Sequence, residues 1–266
     1  MDSLELFHVA TAAIFGLLIG SFLNVCIYRI PRDLSVVSPR SFCPECESQI
    51  VWYHNIPVVS YAVLRGRCGT CRKPIALRYP LVELTTAVLF ALVAVRYGWT
   101  LAALKWAVFE SLAIVLFWTD MEERILPDEF TIGGAVAGLI LACFIPVHGP
   151  ILDLLLSGTA VVWRSLLSAV VGAILLAAPM WAIGMFYQLI RKREGLGLGD
   201  VKLLMLIGSF LGFESGLLAL LIGAVSGSVL GIAYILMTRQ STSSYQLPFG
   251  SFLCVGAAIV PLMNSL

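Results

Sequence analysis

Charged residues are scarce in this sequence. Asp, Glu, Lys and Arg make up 12% of its 266 residues, whereas an ordinary soluble domain carries about a quarter. The chain therefore lacks the polar surface that a water-soluble protein needs. Hydrophobic residues instead make up 59% of the chain, with a mean hydropathy of +0.95. This composition predicts an all-α polytopic membrane protein, because helices satisfy every backbone polar group inside a bilayer.

Several sequence patterns are missing as well. No basic residue precedes the first apolar run and no small-residue cleavage site is obvious, so we expect a retained transmembrane helix and not a secretory signal. No long internal repeat is present, which disfavours inverted-repeat transporter folds. The glycine-rich segment GLGLGD lacks the preceding strand and the spacing of a dinucleotide-binding turn. We expect no nucleic-acid partner.

The apolar runs predict about eight transmembrane helices. They cover roughly residues 7–28, 80–97, 101–119, 130–147, 164–190, 201–212, 215–238 and 248–265. The sixth run is short, since about 20 residues are needed to cross a hydrocarbon core of about 30 Å. Away from their ends, the runs are almost free of ionisable residues. The predicted organisation is a first transmembrane helix at 1–28, a polar loop domain at 29–79 and a membrane core at 80–266.

The distribution of basic residues predicts the orientation. If the eight runs alternate in direction, 14 of the 17 Lys and Arg fall on one side of the membrane. That side should be cytoplasmic by the positive-inside rule, which places both termini outside the cytoplasm. Asp120, at the end of the third run, and Asp200, at the start of the sixth, then share the cytoplasmic side.

The polar loop contains two CxxC pairs. They span Cys43–Cys46 and Cys68–Cys71 and are separated by 21 residues, a spacing that suits a structural tetrathiolate zinc site. Two disulfides are the alternative, but a cytoplasmic loop lies in a reducing compartment. The remaining cysteines, Cys26, Cys143 and Cys254, lie in apolar runs and are predicted to be small buried hydrophobes.

Asp120 and Asp200 are the candidate catalytic residues. Each alone has a structural explanation, as a solvated carboxylate at a helix end or as an acid favoured by a helix dipole. As a pair on one side of the membrane, they could share a proton and activate one water, which is the chemistry of an aspartyl protease. Gly195, Gly197 and Gly199 would free the backbone before Asp200.

Two neighbouring residues have predicted structural roles. Pro127 should end the helix of the third run, and Asp128 is then the predicted N-cap of the fourth. Lys202 has two interpretations, a lipid-headgroup anchor or a group that tunes the charge of the acid pair.

Seven motifs in the same order resemble those of a known family, the type IV prepilin peptidases. They are GSFLNVCIYRIP at 20–31, the double CxxC, NIPVVSY at 55–61, RYPLVE at 78–83, DMEERILPD at 120–128, GLGLGDVKLL at 195–204 and LPFGSFL at 247–253. The family, also called leader peptidase/N-methyltransferases, belongs to the GxGD intramembrane aspartyl proteases. The resemblance covers nearly the whole chain.

The resemblance implies a bifunctional enzyme of the bacterial inner membrane. Its catalytic aspartates fall on Asp120 and Asp200, its GxGD glycines on Gly197 and Gly199, and its cysteine tetrad on the double CxxC. Family members cut prepilin or pseudopilin precursors after a glycine at the cytoplasmic end of the hydrophobic helix. They then methylate the new amine with S-adenosylmethionine. Whether the precursor belongs to a pilus or to a secretion system stays open, as does the oligomeric state.

The methyl-transfer site has only weak candidates in the sequence. Asn24, Arg78 and Glu83 lie at the mouths of the first two runs, beside the cysteine loop, and anchoring of helix ends is an equal alternative for each. Two other functions also stay open. One is a peptidase without methyl transfer, and the other is a proton-coupled transporter that uses the two aspartates as a relay.

Overall fold

The computed structural model describes residues 2–192, 197–238 and 248–263. Within these ranges the regular structure is helical, with two isolated β-bridges and no strand. The α-helices are α1 (Ser3–Arg29), α2 (Val59–Val63), α3 (Arg78–Tyr97), α4 (Leu101–Glu123), α5 (Asp128–Ala142), α6 (Pro150–Leu155), α7 (Val161–Arg191), α8 (Leu198–Thr238) and α9 (Phe249–Met263). The predicted all-helical class is therefore confirmed for the described residues.

Five helical stretches of the described residues are long and apolar enough to cross a membrane. They are Ser3–Arg32, Arg78–Tyr97, Leu101–Glu123, Val161–Arg191 and Leu198–Met237, and Phe249–Met263 is a shorter apolar helix. These lengths fit a multi-pass membrane protein. The number of eight crossings stays a prediction, and residues 264 and 265 of the eighth run lie outside the described residues.

Helix α8 joins the sixth and seventh predicted runs into one helical stretch with a break. Gly212 inside it has φ 77° and ψ −177°, a backbone conformation that only glycine adopts readily. Gly208 and Gly172 allow α7 and α8 to touch backbone to backbone, since a Cβ on Gly208 would lie 2.3 Å from the carbonyl oxygen of Gly172. Such small-residue contacts are a common way of packing helices in lipid.

The chain divides into two compact units, at residues 1–115 and 116–266, and the boundary falls within α4. In the first unit α1 packs on α3, and a Cβ on Gly20 would lie 2.7 Å from the Cα of Glu83. The loop between these helices carries the short helix α2 and both β-bridges. In the second unit α8 packs on α5, α7 and α9. The predicted three-part division of the chain stays a prediction.

Candidate active site and metal centre

Asp120 lies in the last turn of α4 and is 7% exposed. The helix ends three residues later at Glu123, and Arg124 has a left-handed φ of 58°. Pro127 then prevents a continuous helix into α5, because the residue before a proline avoids helical geometry. The predicted end of this helix before Pro127 is confirmed.

The side chain of Asp120 is held by Ser251 from the first turn of α9. Asp120 Oδ2 accepts hydrogen bonds from the backbone N–H of Ser251 at 2.6 Å and from Ser251 Oγ at 2.8 Å. Ser251 Oγ is also 3.0 Å from the carbonyl oxygen of Phe117. The first N–H groups of a helix have no partner inside the helix, so the Asp120 carboxylate satisfies one of them for α9.

Asp200 is the third residue of α8 and is only partly buried. Its backbone N–H donates to the carbonyl oxygen of Gly197 at 3.1 Å, which forms a tight turn at the start of the helix. Asp120 and Asp200 are close enough to interact electrostatically. Within the described part of the chain, no donor contacts the Asp200 carboxylate. The two acids therefore lie near each other, and among the described residues only Asp120 is fixed by hydrogen bonds.

Leu126 fills the space between the ends of α8 and α9. A Cβ on Gly199 would lie 3.1 Å from Leu126 Cβ, and one on Gly250 would lie 3.0 Å from Leu126 Cδ1 and 3.2 Å from the carboxyl carbon of Asp120. A side chain on Gly199 of the GxGD motif would therefore crowd Leu126. A Cβ on Gly197 would meet only Asp200 Oδ2, at 3.7 Å, an ordinary contact. Gly195 lies outside the described residues.

Asp128 and Lys202 form an ion pair beside the aspartates. Lys202 Nζ lies 2.6 and 2.9 Å from the two carboxylate oxygens of Asp128. Asp128 is the first residue of α5, the N-cap is Pro127, and no side chain caps the helix. The predicted N-cap role of Asp128 is therefore wrong, because its carboxylate turns toward α8 and binds a cation there.

The two CxxC pairs converge in the first unit. The Sγ atoms of Cys43, Cys46, Cys68 and Cys71 all lie within 4.8 Å of one another. Each pair is closed by a bridge, Phe42 with Gln49 and Arg67 with Pro74. All seven cysteines are free thiols, so the alternative of two disulfides is not realised.

The cluster has the donor set of a metal site. Hydrogen bonds from Ser48 lower the pKa of the Cys46 thiol to about 6, and backbone N–H groups lower the pKa of Cys68. Although a backbone hydrogen bond from Lys73 lowers the pKa of Cys71, desolvation and the three neighbouring thiols raise this pKa to about 11, so a bound cation would be needed to hold all four as thiolates. The thiolate is the form that binds a metal. Four thiols at this spacing are compatible with tetrahedral zinc.

The three other cysteines divide between two environments. Cys26 and Cys254 are 4% and 2% exposed, as predicted for small buried hydrophobes. The prediction is wrong for Cys143, which is exposed. Cys143 is the C-cap of α5, and its thiol donates back to its own helix, to the carbonyl oxygen of Leu139 at 3.7 Å, so the side chain stays outside the packed core.

The three weak cofactor candidates all lie where α1 meets α3. Asn24 Nδ2 donates to the carbonyl oxygens of Tyr79, at 3.0 Å, and Gly20, at 3.3 Å. Glu83 Oε2 accepts the N–H of Val58 at 2.7 Å, and the Arg78 guanidinium lies 4.8 Å from the Tyr79 ring. These contacts support the alternative in which the residues anchor helix ends. One hydrogen-bond acceptor of these three side chains stays unsatisfied: the buried Asn24 Oδ1 has no partner among the described residues.

Some features were missed by the sequence analysis. Ser251 and Gly250 lie inside LPFGSFL, which resembles the family motif but contains no charged or metal-binding residue to draw attention. Two ionisable residues also lie inside α4, where the runs were expected to be almost free of them. Lys105 is 1% exposed and Glu110 is fully buried; within the described residues, neither carboxylate oxygen of Glu110 has a hydrogen-bond partner.

Comparisons with known proteins match both units. The bacterial peptidase A24 N-terminal domain matches residues 14–97, and the type IV leader peptidase family matches residues 107–232. No solved structure matches the chain.

Three curated relatives are all named prepilin leader peptidase/N-methyltransferase. The one from Pseudomonas putida is 33% identical over 96% of this chain and 91% of its own length. The one from Neisseria gonorrhoeae is 34% identical over 99% and 93%, and the one from Aeromonas hydrophila is 35% identical over 94% and 88%.

Proposed function

The chain belongs to the type IV leader peptidase family, and we propose that it is a bifunctional membrane enzyme. One activity cleaves the leader from prepilin-like precursors after a glycine, and the other N-methylates the new terminal residue with S-adenosylmethionine. The names of the relatives support both activities. The family also supports a bacterial inner membrane location. The distribution of basic residues favours the cytoplasmic side for the aspartates and the cysteine loop.

The observation that carries the peptidase proposal is the meeting of Asp120 and Asp200. They come from different helices, α4 and α8, and interact electrostatically at the helix ends. Two carboxyl groups that interact in this way do not readily ionise together, so the proposed dyad shares one proton. The titration of such a site belongs to the pair and not to either residue.

The chemistry needs one ionised carboxylate, one carboxylic acid and a water. The carboxylate removes a proton from the water as the water oxygen attacks the peptide carbonyl carbon. At the same time the carboxylic acid gives its proton to the carbonyl oxygen. The resulting gem-diol collapses as the carbon–nitrogen bond breaks. One proton passes to the departing nitrogen, which leaves a glycine carboxyl group on the leader and a free amine on the mature protein.

An apolar groove beside Asp200 suits the hydrophobic helix of a precursor. It has a volume of about 450 Å³ and is lined by α5, α7 and α8, beginning at Val201, the residue after Asp200. Small residues on its walls, including Ala135, Ala173 and Ala177, let another helix approach closely. A helix lying there would present its end to the acids, and a glycine at that point eases local unwinding.

The cysteine cluster is the proposed structural zinc site. Four thiolates leave no open position on the metal, so zinc would stabilise the fold of the loop and take no part in the reaction.

The proposed methyl-transfer site lies near the α1–α3 contact. S-adenosylmethionine supplies an activated methyl group there. The unpartnered Asn24 Oδ1 would accept a hydrogen bond from the cofactor's amino or hydroxyl groups, and Glu83 and Arg78 would shape the surrounding pocket.

Mass spectrometry of a precursor incubated with the reconstituted protein tests both activities. We expect loss of the leader and, with S-adenosylmethionine present, one added methyl group on the new N-terminus. A cleaved but unmethylated product would leave a peptidase without the transferase. An uncleaved precursor would contradict the proposal.

A transporter is the second candidate. It is favoured by two buried ionisable residues inside α4, Lys105 and Glu110. Proton flux in liposomes that stops when Asp120 or Asp200 is replaced by Asn would support transport. We expect no such flux, because both aspartates lie at helix ends and not along a path through the membrane.

A further inference from the structure

The two aspartates have unequal surroundings. Asp120 Oδ2 receives two hydrogen bonds from Ser251, at 2.6 and 2.8 Å, whereas in the described part of the chain the Asp200 carboxylate receives none. Hydrogen bonds to a carboxylate are stronger when it is charged. A helix dipole also favours an anion at Asp200, in the first turn of α8, but direct charge-assisted hydrogen bonds are the stronger effect. Negative charge is therefore better stabilised on Asp120 than on Asp200.

From this asymmetry we propose that Ser251 is a positioning residue that holds Asp120 as the ionised member of the pair. Asp120 then takes the proton from the attacking water, and Asp200 carries the shared proton and gives it to the peptide carbonyl oxygen. This inference rests on the proposed peptidase function and assigns a role to each acid within it.

The Ser251 hydroxyl can serve both charge states of Asp120. Its single hydrogen has two acceptors within reach, Asp120 Oδ2 at 2.8 Å and the carbonyl oxygen of Phe117 at 3.0 Å. When Asp120 is ionised, the hydroxyl hydrogen points to Asp120. When the other oxygen of Asp120, Oδ1, has taken a proton from water, the carboxyl group is a weaker acceptor, and the hydroxyl hydrogen can turn to Phe117. The hydroxyl can therefore follow the charge of Asp120 without movement of a heavy atom.

Gly250 makes the contact possible. A side chain there would begin 3.2 Å from both the carboxyl carbon and Oδ2 of Asp120, tighter than ordinary van der Waals contact. The absence of a side chain lets the carboxylate reach the backbone N–H of the next residue. Gly250 therefore leaves room for the Asp120 carboxylate, and Ser251 binds it through its N–H and its hydroxyl.

The test measures precursor cleavage by the full-length, reconstituted protein as a function of pH, in wild type and in Ser251→Ala. The backbone donor remains in this variant, so we expect kcat to fall about tenfold, and not to zero, with KM unchanged within about twofold. Loss of the hydroxyl makes the ionised form of the base less favourable. The acidic limb of the rate profile should therefore move to higher pH by about one unit.

Two further variants separate positioning from folding. Ser251→Thr keeps the hydroxyl and should recover most of the lost kcat. Ser226→Ala removes a half-buried hydroxyl of α8 that bonds only to its own helix, at Gly223, and should behave as wild type. The titratable and charged groups of the neighbouring elements stay the same in all three variants; they are Glu122, Glu123, Arg124, Asp200, the Asp128–Lys202 pair and Cys254.

The outcomes distinguish this inference from the proposed function. If Asp120→Asn and Asp200→Asn are inactive but Ser251→Ala has the wild-type kcat and pH profile, only the role of Ser251 is wrong. A shift of the basic limb alone would reverse the two roles and overturn the assignment. An equal loss of kcat and of melting temperature in Ser251→Ala and Ser226→Ala would also overturn it. Full activity of both Asn variants would instead remove the proposed function itself.

Discussion

The two units of this protein build their polar sites in opposite ways. In the first, four thiols come from one loop, and the cysteines at its two ends, Cys43 and Cys71, are 28 residues apart. In the second, Asp120 and Ser251 meet across 131 residues and Asp200 comes from a third helix. A metal can draw a short loop together, whereas carboxylates need packed helices to bring them to one point. We therefore expect the two sites to fail separately.

The largest effect should follow replacement of either aspartate. Asp120→Asn removes the general base and Asp200→Asn removes the proton donor, so cleavage should fall by at least about a thousandfold. The zinc content, set by the first unit, should not change. Precursor processing and metal content measured on the same preparation check both statements.

The control for the aspartate variants is Asp33→Asn. Asp33 is exposed in the loop and has a left-handed φ of 54°, which asparagine also tolerates. We expect wild-type cleavage. Cleavage within about tenfold of wild type by either dyad variant would disprove the dyad.

Removing the metal should have the opposite pattern. In the double variant Cys43→Ser and Cys46→Ser we expect loss of about one zinc per chain, since four thiolates hold one ion. Methyl transfer should fall more than cleavage, because the cysteines belong to the other unit from the aspartates. Elemental analysis, leader removal and methylation are the three measurements.

The matched control is Cys143→Ser, which changes an exposed cysteine outside the cluster. It should keep its zinc and both activities. Full zinc occupancy in the double variant would rule out the tetrathiolate site. Equal loss of cleavage and methyl transfer would contradict the expectation that the two sites fail separately.

A smaller effect is expected at the glycine contact that packs the second unit. In Gly208→Ala the new Cβ would lie 2.3 Å from the carbonyl oxygen of Gly172, so α7 and α8 must move apart. Overpacking of this kind costs about 1–3 kcal/mol, and the melting temperature should drop while zinc stays bound. Gly133→Ala is the control, because nothing lies within 4 Å of its Cβ position. Equal melting temperatures for the two variants would contradict the packing argument.

The smallest effect should come from the Asp128–Lys202 pair. The two side chains are 57% and 33% exposed, and a pair of this kind contributes about 1 kcal/mol or less. Lys202→Met should therefore lower cleavage by only a few-fold, and Asp128→Asn should do the same. A change in the pH profile with Lys202→Met but not with Asp128→Asn would show that the lysine acts on the dyad directly.

Much of the site was predictable because its signals are local. The CxxC pairs predicted a cluster, since two cysteines three residues apart readily share a metal. Pro127 predicted the break after α4, because proline restricts the residue before it. The predictions failed where a residue's role depends on its neighbour in space. Asp128 binds Lys202 instead of capping its helix, and the thiol of Cys143 turns back to its own helix and stays exposed.

The sequence by itself determined the membrane class, the helical structure and the residue types that can carry the chemistry. Composition controls burial in lipid, and short-range spacing controls local backbone geometry. Only the tertiary structure decided that Ser251 holds Asp120 and that Leu126 fits against Gly199 and Gly250. These contacts join residues far apart in the chain, and they form only when whole helices pack at a particular depth and rotation. The difference between the two aspartates is therefore a property of the fold.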